Sequence, residues 1–254
     1  MPAAVLYSGH SASWLTYVGL EEQEKAAGYR NREDAVSYAA QHTLMRCIAA
    51  SALDVRATLA ADIPVDRRCT LCETGELHGK PRIEGISFNM ARSQGAVAGA
   101  FSPDPSTRLG LDIEKMRGSY YAGFDNISLS PTEKDHLAAY SLSTQRVLRL
   151  MLWTGKQAVL KATGHGLSLS PSAVLLNLRG FPADVVDPII FETQALLTLP
   201  GGKPENFYVS WQVYEDFAIA VASDSPVSVE LLAVLTPLEV KRAVQSLLTF
   251  KKIT

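Results

Sequence analysis

The sequence predicts an α+β fold in two halves, and three features predict it. Residues 21–53, rich in Ala, Leu, Glu and Arg, are helical in character. Short apolar runs bounded by turn residues come later, at strand rather than helix length. Ser102-Pro103-Asp104-Pro105-Ser106 is the best linker in the chain. It separates 1–106 from 107–254, and each part combines helices with a short antiparallel sheet.

In the first half, the helical stretch carries Arg30, Arg32, His42 and Arg46. Residues 63–85 are loop-rich, punctuated by Pro64, Gly75, Gly79, Pro81 and Gly85. Residues 86–90 read as a short strand, and 96–101 as a second that pairs with it. In the second half, 109–113 is a strand. Ser130-Pro131-Thr132-Glu133 opens a helix, with Ser130 as cap, Pro131 in the first turn and Glu133 at the third helical position. The strongest helical pattern is 146–162, ended near Gly164 and Gly166. Residues 174–178, 206–214 and 218–222 look like strands of an antiparallel sheet. Thr236-Pro237-Leu238-Glu239 begins a final amphipathic helix. No internal repeat is visible.

At 254 residues, with 47% hydrophobic and 20% charged residues, the chain has an ordinary globular balance. Its formal net charge of −2 supplies no global field toward nucleic acid or an anionic membrane. An anionic ligand must therefore be held by a local cluster of cations. Residues 1–15 lack a basic region followed by an apolar core, and no window approaches eighteen uninterrupted apolar residues. The expectation is a cytoplasmic protein without leader or span. Cys47, Cys69 and Cys72 make no disulfide framework. Cys69-Thr70-Leu71-Cys72 has the spacing of half a zinc ribbon, with only His78 and Cys47 to complete it, so a reduced loop pair is expected.

Two segments carry the chemistry. In Gly110-Leu111-Asp112-Ile113-Glu114, a strand points both carboxylates to one face. Two hard anionic oxygens side by side suit Mg²⁺, which keeps waters and takes further oxygens from a phosphorylated substrate. In Trp153-Thr154-Gly155-Lys156-Gln157-Ala158-Val159-Leu160-Lys161, a helix stacks Trp153, Gln157 and Lys161 on one face.

Together these segments resemble the signature of the 4′-phosphopantetheinyl transferases, in their larger, pseudo-dimeric class. That family reads G-x-D-x-E, then W-x-x-K-E-A with a further lysine beyond. Two more elements agree. His78-Gly79-Lys80-Pro81 resembles the family's G-K-P element, whose lysine contacts coenzyme A, and Phe88-Asn89-Met90-Ala91-Arg92-Ser93 sits where it reads F-N-x-S-H-S. The resemblance implies two similarly folded subdomains with the active site in the cleft between them. It implies a monomer that moves 4′-phosphopantetheine from coenzyme A to a serine of an acyl or peptidyl carrier protein, releasing 3′,5′-ADP. It also implies a site: Mg²⁺ on Asp112, Glu114 and Gln157, with Lys161 beside them in catalysis. Lys80, Pro81, Arg92, Ser93, Lys156, Lys161, Arg46 and one of Arg30 or Arg32 (Arg32 is taken here) would contact coenzyme A. Met116, Arg117, Tyr120 and Tyr121 are candidates for docking the carrier.

Two departures bear on mechanism. Ala91-Arg92 replaces the family's Ser-His; arginine keeps a positive charge and gains a fork suited to phosphate. Gln157 replaces the glutamate that serves the family as metal ligand and base. An amide oxygen still coordinates Mg²⁺ but accepts no proton near neutral pH. The alternative reading is a paralogue that binds coenzyme A or a carrier without transfer. An unrelated metal-dependent phosphotransferase or phosphatase would require every motif match to be coincidence.

Overall fold

The computed structural model describes residues 17–69, 71, 78–116, 122–179, 190–234 and 236–251. Contacts divide the chain into two compact units, Met1–Ser106 with Glu230–Thr254, and Thr107–Val229. Each sets a long helix against a small antiparallel sheet, which is the α+β class expected. No described helix is long and apolar enough to cross a membrane.

The first unit contains α1 (Leu20–Ala27), α2 (Arg32–Ala52), the strands β1 (Ser87–Ser93) and β2 (Ala96–Ser102), and the C-terminal helix α6 (Pro237–Lys251). The stretch read as mostly helical breaks at Gly28, and Asn31 restarts it. The Asn31 side chain accepts from the Glu33 N–H at 2.9 Å, an N-cap. Gln94 and Gly95 both have positive φ (40° and 86°), as the two-residue turn joining β1 to β2 requires. Leu44, Met45 and Ile48 of α2 share a core with Phe88, Val97, Val240 and Val244. The C-terminal helix thus belongs to the first unit, not to 107–254 as the linker-based division has it. Its apolar stripe says that it must be buried, but contiguity in sequence does not say in which core.

A buried charge cluster locks α1 to α2. Glu22 accepts from Arg46 Nε at 2.9 and 3.1 Å and lies 3.2 Å from His42 Nδ1. Arg46 Nη1 donates to the carbonyls of Ala60 and Ile63 at 3.0 and 2.7 Å. Burial pushes the Glu22 carboxyl up, but the bonds from His42, Arg46 and the Gly19 N–H outweigh it and hold the pKa down at about 2.

The second unit contains β3 (Leu109–Lys115), the short α3 (Phe124–Ser128), α4 (Pro131–Ala138), α5 (Leu142–Thr163), β4 (Val174–Leu176), β5 (Ile190–Leu197), β6 (Glu205–Tyr214) and β7 (Phe217–Ser223). The sheet order is β3-β7-β6-β5-β4, every neighbouring pair antiparallel. α4 begins as the sequence predicts, with Ser130 and Glu133 forming a capping box. α5 starts earlier than predicted because Ser141 caps it, accepting from the Thr144 N–H at 3.3 Å. It ends at Gly164, whose φ of 84° closes the last turn. β5 is the strand that the sequence reading does not assign. Its more buried positions are Phe191, Thr193, Ala195 and Leu197, alternating with the exposed Glu192 and Gln194. Leu148, Met151, Leu152, Val159 and Leu160 of α5 bury against Phe207, Val209, Trp211, Ala220 and Ala222. Removing any one of the leucines should cost about 2–5 kcal/mol.

Glu22 has a folded pKa below its unfolded value near 4.3, so its contribution is present above that value and is lost as pH falls toward 2. Glu22→Gln should therefore cost about 3 kcal/mol at neutral pH and remove part of the stability loss between about pH 4.5 and 2. Urea unfolding across that range measures both effects.

Candidate active site

The site is built where α5 meets the edge strand β3. Gly110, Asp112 and Glu114 share one strand face and pair in register with Ala222, Ala220 and Ala218 of β7. A Cβ on Gly110 would overlap the Ala158 carbonyl oxygen and crowd the Ala162 nitrogen at 2.5 Å. Glycine is thus needed because the helix backbone rests on the strand there. That approach brings the carboxylates of β3 under the Trp153–Gln157–Lys161 face of α5.

Asp112 is 6% exposed. Its Oδ1 accepts from Lys161 Nζ at 2.6 Å, and its Oδ2 is buried without a hydrogen-bond partner. Burial pushes the Asp112 carboxyl up to about 6, against the charge and hydrogen bond of Lys161; the nearby Glu114 charge adds to the rise. At the other end, Trp153 Nε1 donates to Glu114 Oε1 at 3.4 Å, and the Phe124 ring packs on the Trp153 ring at 5.3 Å. Trp153 therefore packs on Phe124 and also orients a carboxylate. Gln157 is one helical turn from both Trp153 and Lys161. It is 5% exposed, and its Nε2 is buried without a partner. One short strand–helix contact thus holds two buried polar atoms without partners, an acceptor on Asp112 and a donor on Gln157.

Lys156 is turned elsewhere. Its side chain is fully buried, and Nζ donates to Glu133 Oε2 at 2.6 Å and to the Ser128 carbonyl at 2.9 Å. Burial pulls its pKa down while Glu133 pushes it up. The expectation pairs Lys156 with Lys161 on the phosphates, but five residues is about 140° around a helix, so the two lysines leave different faces and only Lys161 bonds Asp112. Arg46 is likewise engaged by partners outside β3 and α5. Its guanidinium is enclosed by Glu22 and two backbone carbonyls inside the first unit, leaving it as a structural tie.

The remaining first-unit candidates lie at the surface or half-buried. Lys80 and Pro81 are half-buried on an arm that pairs with 66–68: Asp66 and Arg82 exchange backbone hydrogen bonds at 2.8 Å, and Gly79 donates to the Arg67 carbonyl. Gly79 is required because a Cβ there would lie 2.6 Å from the Arg68 carbonyl oxygen. Arg30 and Arg32 are exposed, and Ser93 is half-buried at the end of β1. The Arg92 guanidinium lies 5.6 Å from the Tyr29 ring centre and 6.0 Å from that of Tyr38, and its Nη1 donates to the Asp34 carbonyl at 3.1 Å. Tyr38 stacks on His42 at 4.1 Å, Lys25 approaches the Tyr38 ring, and Arg67 Nη2 lies 3.4 Å from the His42 ring nitrogens. Lys25, Tyr29, Tyr38 and Arg67, which the sequence reading does not single out, gather around Arg92 and His42, Lys25 by way of the Tyr38 ring. Tyr38 and His42 are one turn apart, a signal that was available; Arg67 arrives from a loop and left none.

Among the described residues no group of three or more His, Cys, Asp or Glu side chains comes together. Cys47 is buried in α2 with its thiol 3.6 Å from the Pro237 carbonyl, away from any loop site. Thr70 and Cys72 of the C-x-x-C stretch, and the docking candidates Arg117, Tyr120 and Tyr121, lie outside the described residues.

Residues 108–222 match the family profile described as the 4′-phosphopantetheinyl transferase superfamily. The chain is 25% identical over 224 residues to a 4′-phosphopantetheinyl transferase of Bacillus subtilis, covering 87% of this chain and 88% of that protein. It is 28% identical over 215 residues to the B. subtilis 4′-phosphopantetheinyl transferase ffp, covering 84% of each. It is 24% identical over 216 residues to the 4′-phosphopantetheinyl transferase Sfp of B. subtilis strain 168, covering 84% of this chain and 85% of Sfp.

The helix–strand contact should not tolerate a side chain at its closest point. Gly110→Ala meets backbone rather than a flexible side chain, so it should lower stability by about 1–3 kcal/mol in thermal or urea unfolding. Arg46→Met should destabilise by at least as much in the same unfolding measurement, because it leaves Glu22 buried without its arginine partner.

Proposed function

The chain belongs to the 4′-phosphopantetheinyl transferase superfamily, and from that premise we propose that it transfers 4′-phosphopantetheine from coenzyme A to a serine of an acyl or peptidyl carrier protein. The oxygen of that serine bonds to the β-phosphorus, the pyrophosphate bridge breaks, and 3′,5′-ADP leaves. The observation that carries the reading is the meeting of two motifs distant in sequence, through Lys161 on Asp112 and Trp153 on Glu114.

The residues present fit Mg²⁺. Asp112 and Glu114 supply carboxylate oxygens, Gln157 an amide oxygen, and the partnerless Asp112 Oδ2 is a buried oxygen that a cation would satisfy. Bound there, Mg²⁺ supplies charge neutralisation and orientation for the pyrophosphate. Lys161 is 30% exposed at its side chain and already leans on Asp112, so it reaches a phosphate oxygen with little rearrangement and stabilises charge on the leaving group. Lys80, Pro81, Arg92, Ser93 and Arg32 remain the proposed coenzyme A contacts of the first unit. Carrying both motif sets in one chain, the protein works as a monomer in this reading.

Gln157 takes no proton. The serine proton must leave to Glu114, to water or to a phosphate oxygen, and transfer through a loose transition state demands little nucleophile activation. We infer a slower transferase than a glutamate-bearing one. The partnerless amide also favours a second reading, a paralogue that binds coenzyme A or a carrier without transfer.

The deciding experiment is intact-protein mass spectrometry of an apo carrier protein incubated with this chain, coenzyme A and Mg²⁺. A mass gain of one phosphopantetheine, abolished by Asp112→Ala, is expected. No gain across several carriers, with coenzyme A still bound in titration, would establish the non-transferring reading. Gln157→Glu should raise turnover by about 10²-fold, the lower end of general-base assistance.

A further inference from the structure

We propose that Lys156 is a positioning residue for transfer, acting through Glu133 and not on the substrate's phosphates. This inference rests on the reading of Asp112, Glu114 and Gln157 as the metal and substrate site.

The Lys156–Glu133 ion pair is the most deeply buried of those described, with side chains 0% and 2% exposed. Its carboxylate is shared. Glu133 Oε2 accepts from Lys156 at 2.6 Å and from the Ser130 N–H at 2.8 Å, while Oε1 takes the Leu176 N–H at 3.5 Å. One carboxylate therefore joins the start of α4, strand β4 and the middle of α5. The ammonium reaches a further element, since its second bond goes to the Ser128 carbonyl at the end of α3.

That second bond matters because α3 is clamped to α5 twice. Two turns before Lys156, Arg149 grips Asp125 of α3 with three hydrogen bonds of 2.8 to 3.1 Å. Between the clamps, Phe124 of α3 packs on Trp153, whose indole N–H donates to Glu114. Gln157 follows Lys156 directly in the helix. The direction of the Lys156 side chain sets the rotation of α5, and with it the aim of Gln157 and Lys161 toward Asp112. The same clamp holds the ring that orients Glu114. A buried apolar pair of similar volume would hold the helix as well or better. What the ion pair adds is one required direction, because a buried charge with a single partner tolerates little rotation away from it.

A phosphate-binding lysine and a positioning lysine give different patterns. The test uses the full chain with Lys156→Met, Glu133→Gln, and the double variant Lys156→Met/Glu133→Leu, which leaves no buried charge unpaired. Carrier loading gives kcat and KM for coenzyme A, and isothermal titration with Mg²⁺ gives coenzyme A affinity independently of turnover. Both single variants should lower kcat by about tenfold to 10²-fold, as small misplacements of reacting groups do, with affinity within about threefold of the parent. Should the single variants fail to fold, the double variant decides: it should fold, bind coenzyme A as the parent does, and still turn over at least about tenfold more slowly. Two results overturn the proposal. One is a loss of coenzyme A affinity of about tenfold or more with Lys156→Met or the double variant but not with Glu133→Gln, the pattern of a phosphate ligand. The other is parental turnover in the double variant. A parent chain that loads no carrier overturns the transferase reading instead. The affinity titration then decides alone whether Lys156 serves phosphate or Glu133.

Discussion

The contact on which the rest depends is the approach of α5 to β3 at Gly110. No side chain intervenes there; the helix carbonyl of Ala158 occupies the space a Cβ would fill. Side chains reach only a few ångströms, so carboxylates on a strand and a lysine and indole on a helix meet only if the two backbones lie this close. The alanines of β7 facing the same way keep the neighbouring strand from lifting the helix off. A similar closeness recurs higher on α5, where Gly155 leaves room for the Trp211 ring and the indole N–H donates to the Met151 carbonyl at 2.9 Å. The helix is seated by glycines at two levels, one toward β3 and one toward β6.

Around that contact, the protein buries charge in an ordered way. Burial raises both Asp112 and Glu22. The charge and hydrogen bond of Lys161 do not outweigh it at Asp112, whose pKa rises to about 6 and whose Oδ2 has no partner. His42, Arg46 and the Gly19 N–H do outweigh it at Glu22, whose pKa falls to about 2. A carboxylate with its bonds complete holds elements together. One with a bare buried oxygen is stabilised by whatever cation or donor arrives. Gln157 is the converse case, an amide nitrogen whose N–H groups find no acceptor among the described residues. Lys156 and Arg46 fit the first description, as cations whose donors are spent inside their own units.

Much was legible in the sequence where the governing physics is local. The capping box at Ser130 and Glu133, the stop at Gly164, the pairing of β1 with β2 and the strand carrying Asp112 and Glu114 all follow from spacing and residue type. So does the stacking of Trp153, Gln157 and Lys161, since a period of four on a helix is a shared face. The 140° between Lys156 and Lys161 was legible too, and it argues against a common ligand before any coordinate is seen.

Decisions between long-range alternatives needed tertiary structure. The apolar stripe of α6 requires burial but is silent on which core receives it, and it went to α2, across the whole chain. The arginines and lysines carry the same charge in sequence whether they face solvent, a carboxylate or a ligand. Arg46 met Glu22, 24 residues earlier in the chain, and Lys156 met Glu133, 23 residues earlier. Charge type and helical period are properties of the chain itself, so the sequence alone determined the α+β class, the carboxylate pair and the helix face that opposes it. Which charges are already neutralised depends on distances between segments that no local rule sets. Only the folded structure separated Lys161, half-open beside Asp112, from Lys156, closed in its ion pair.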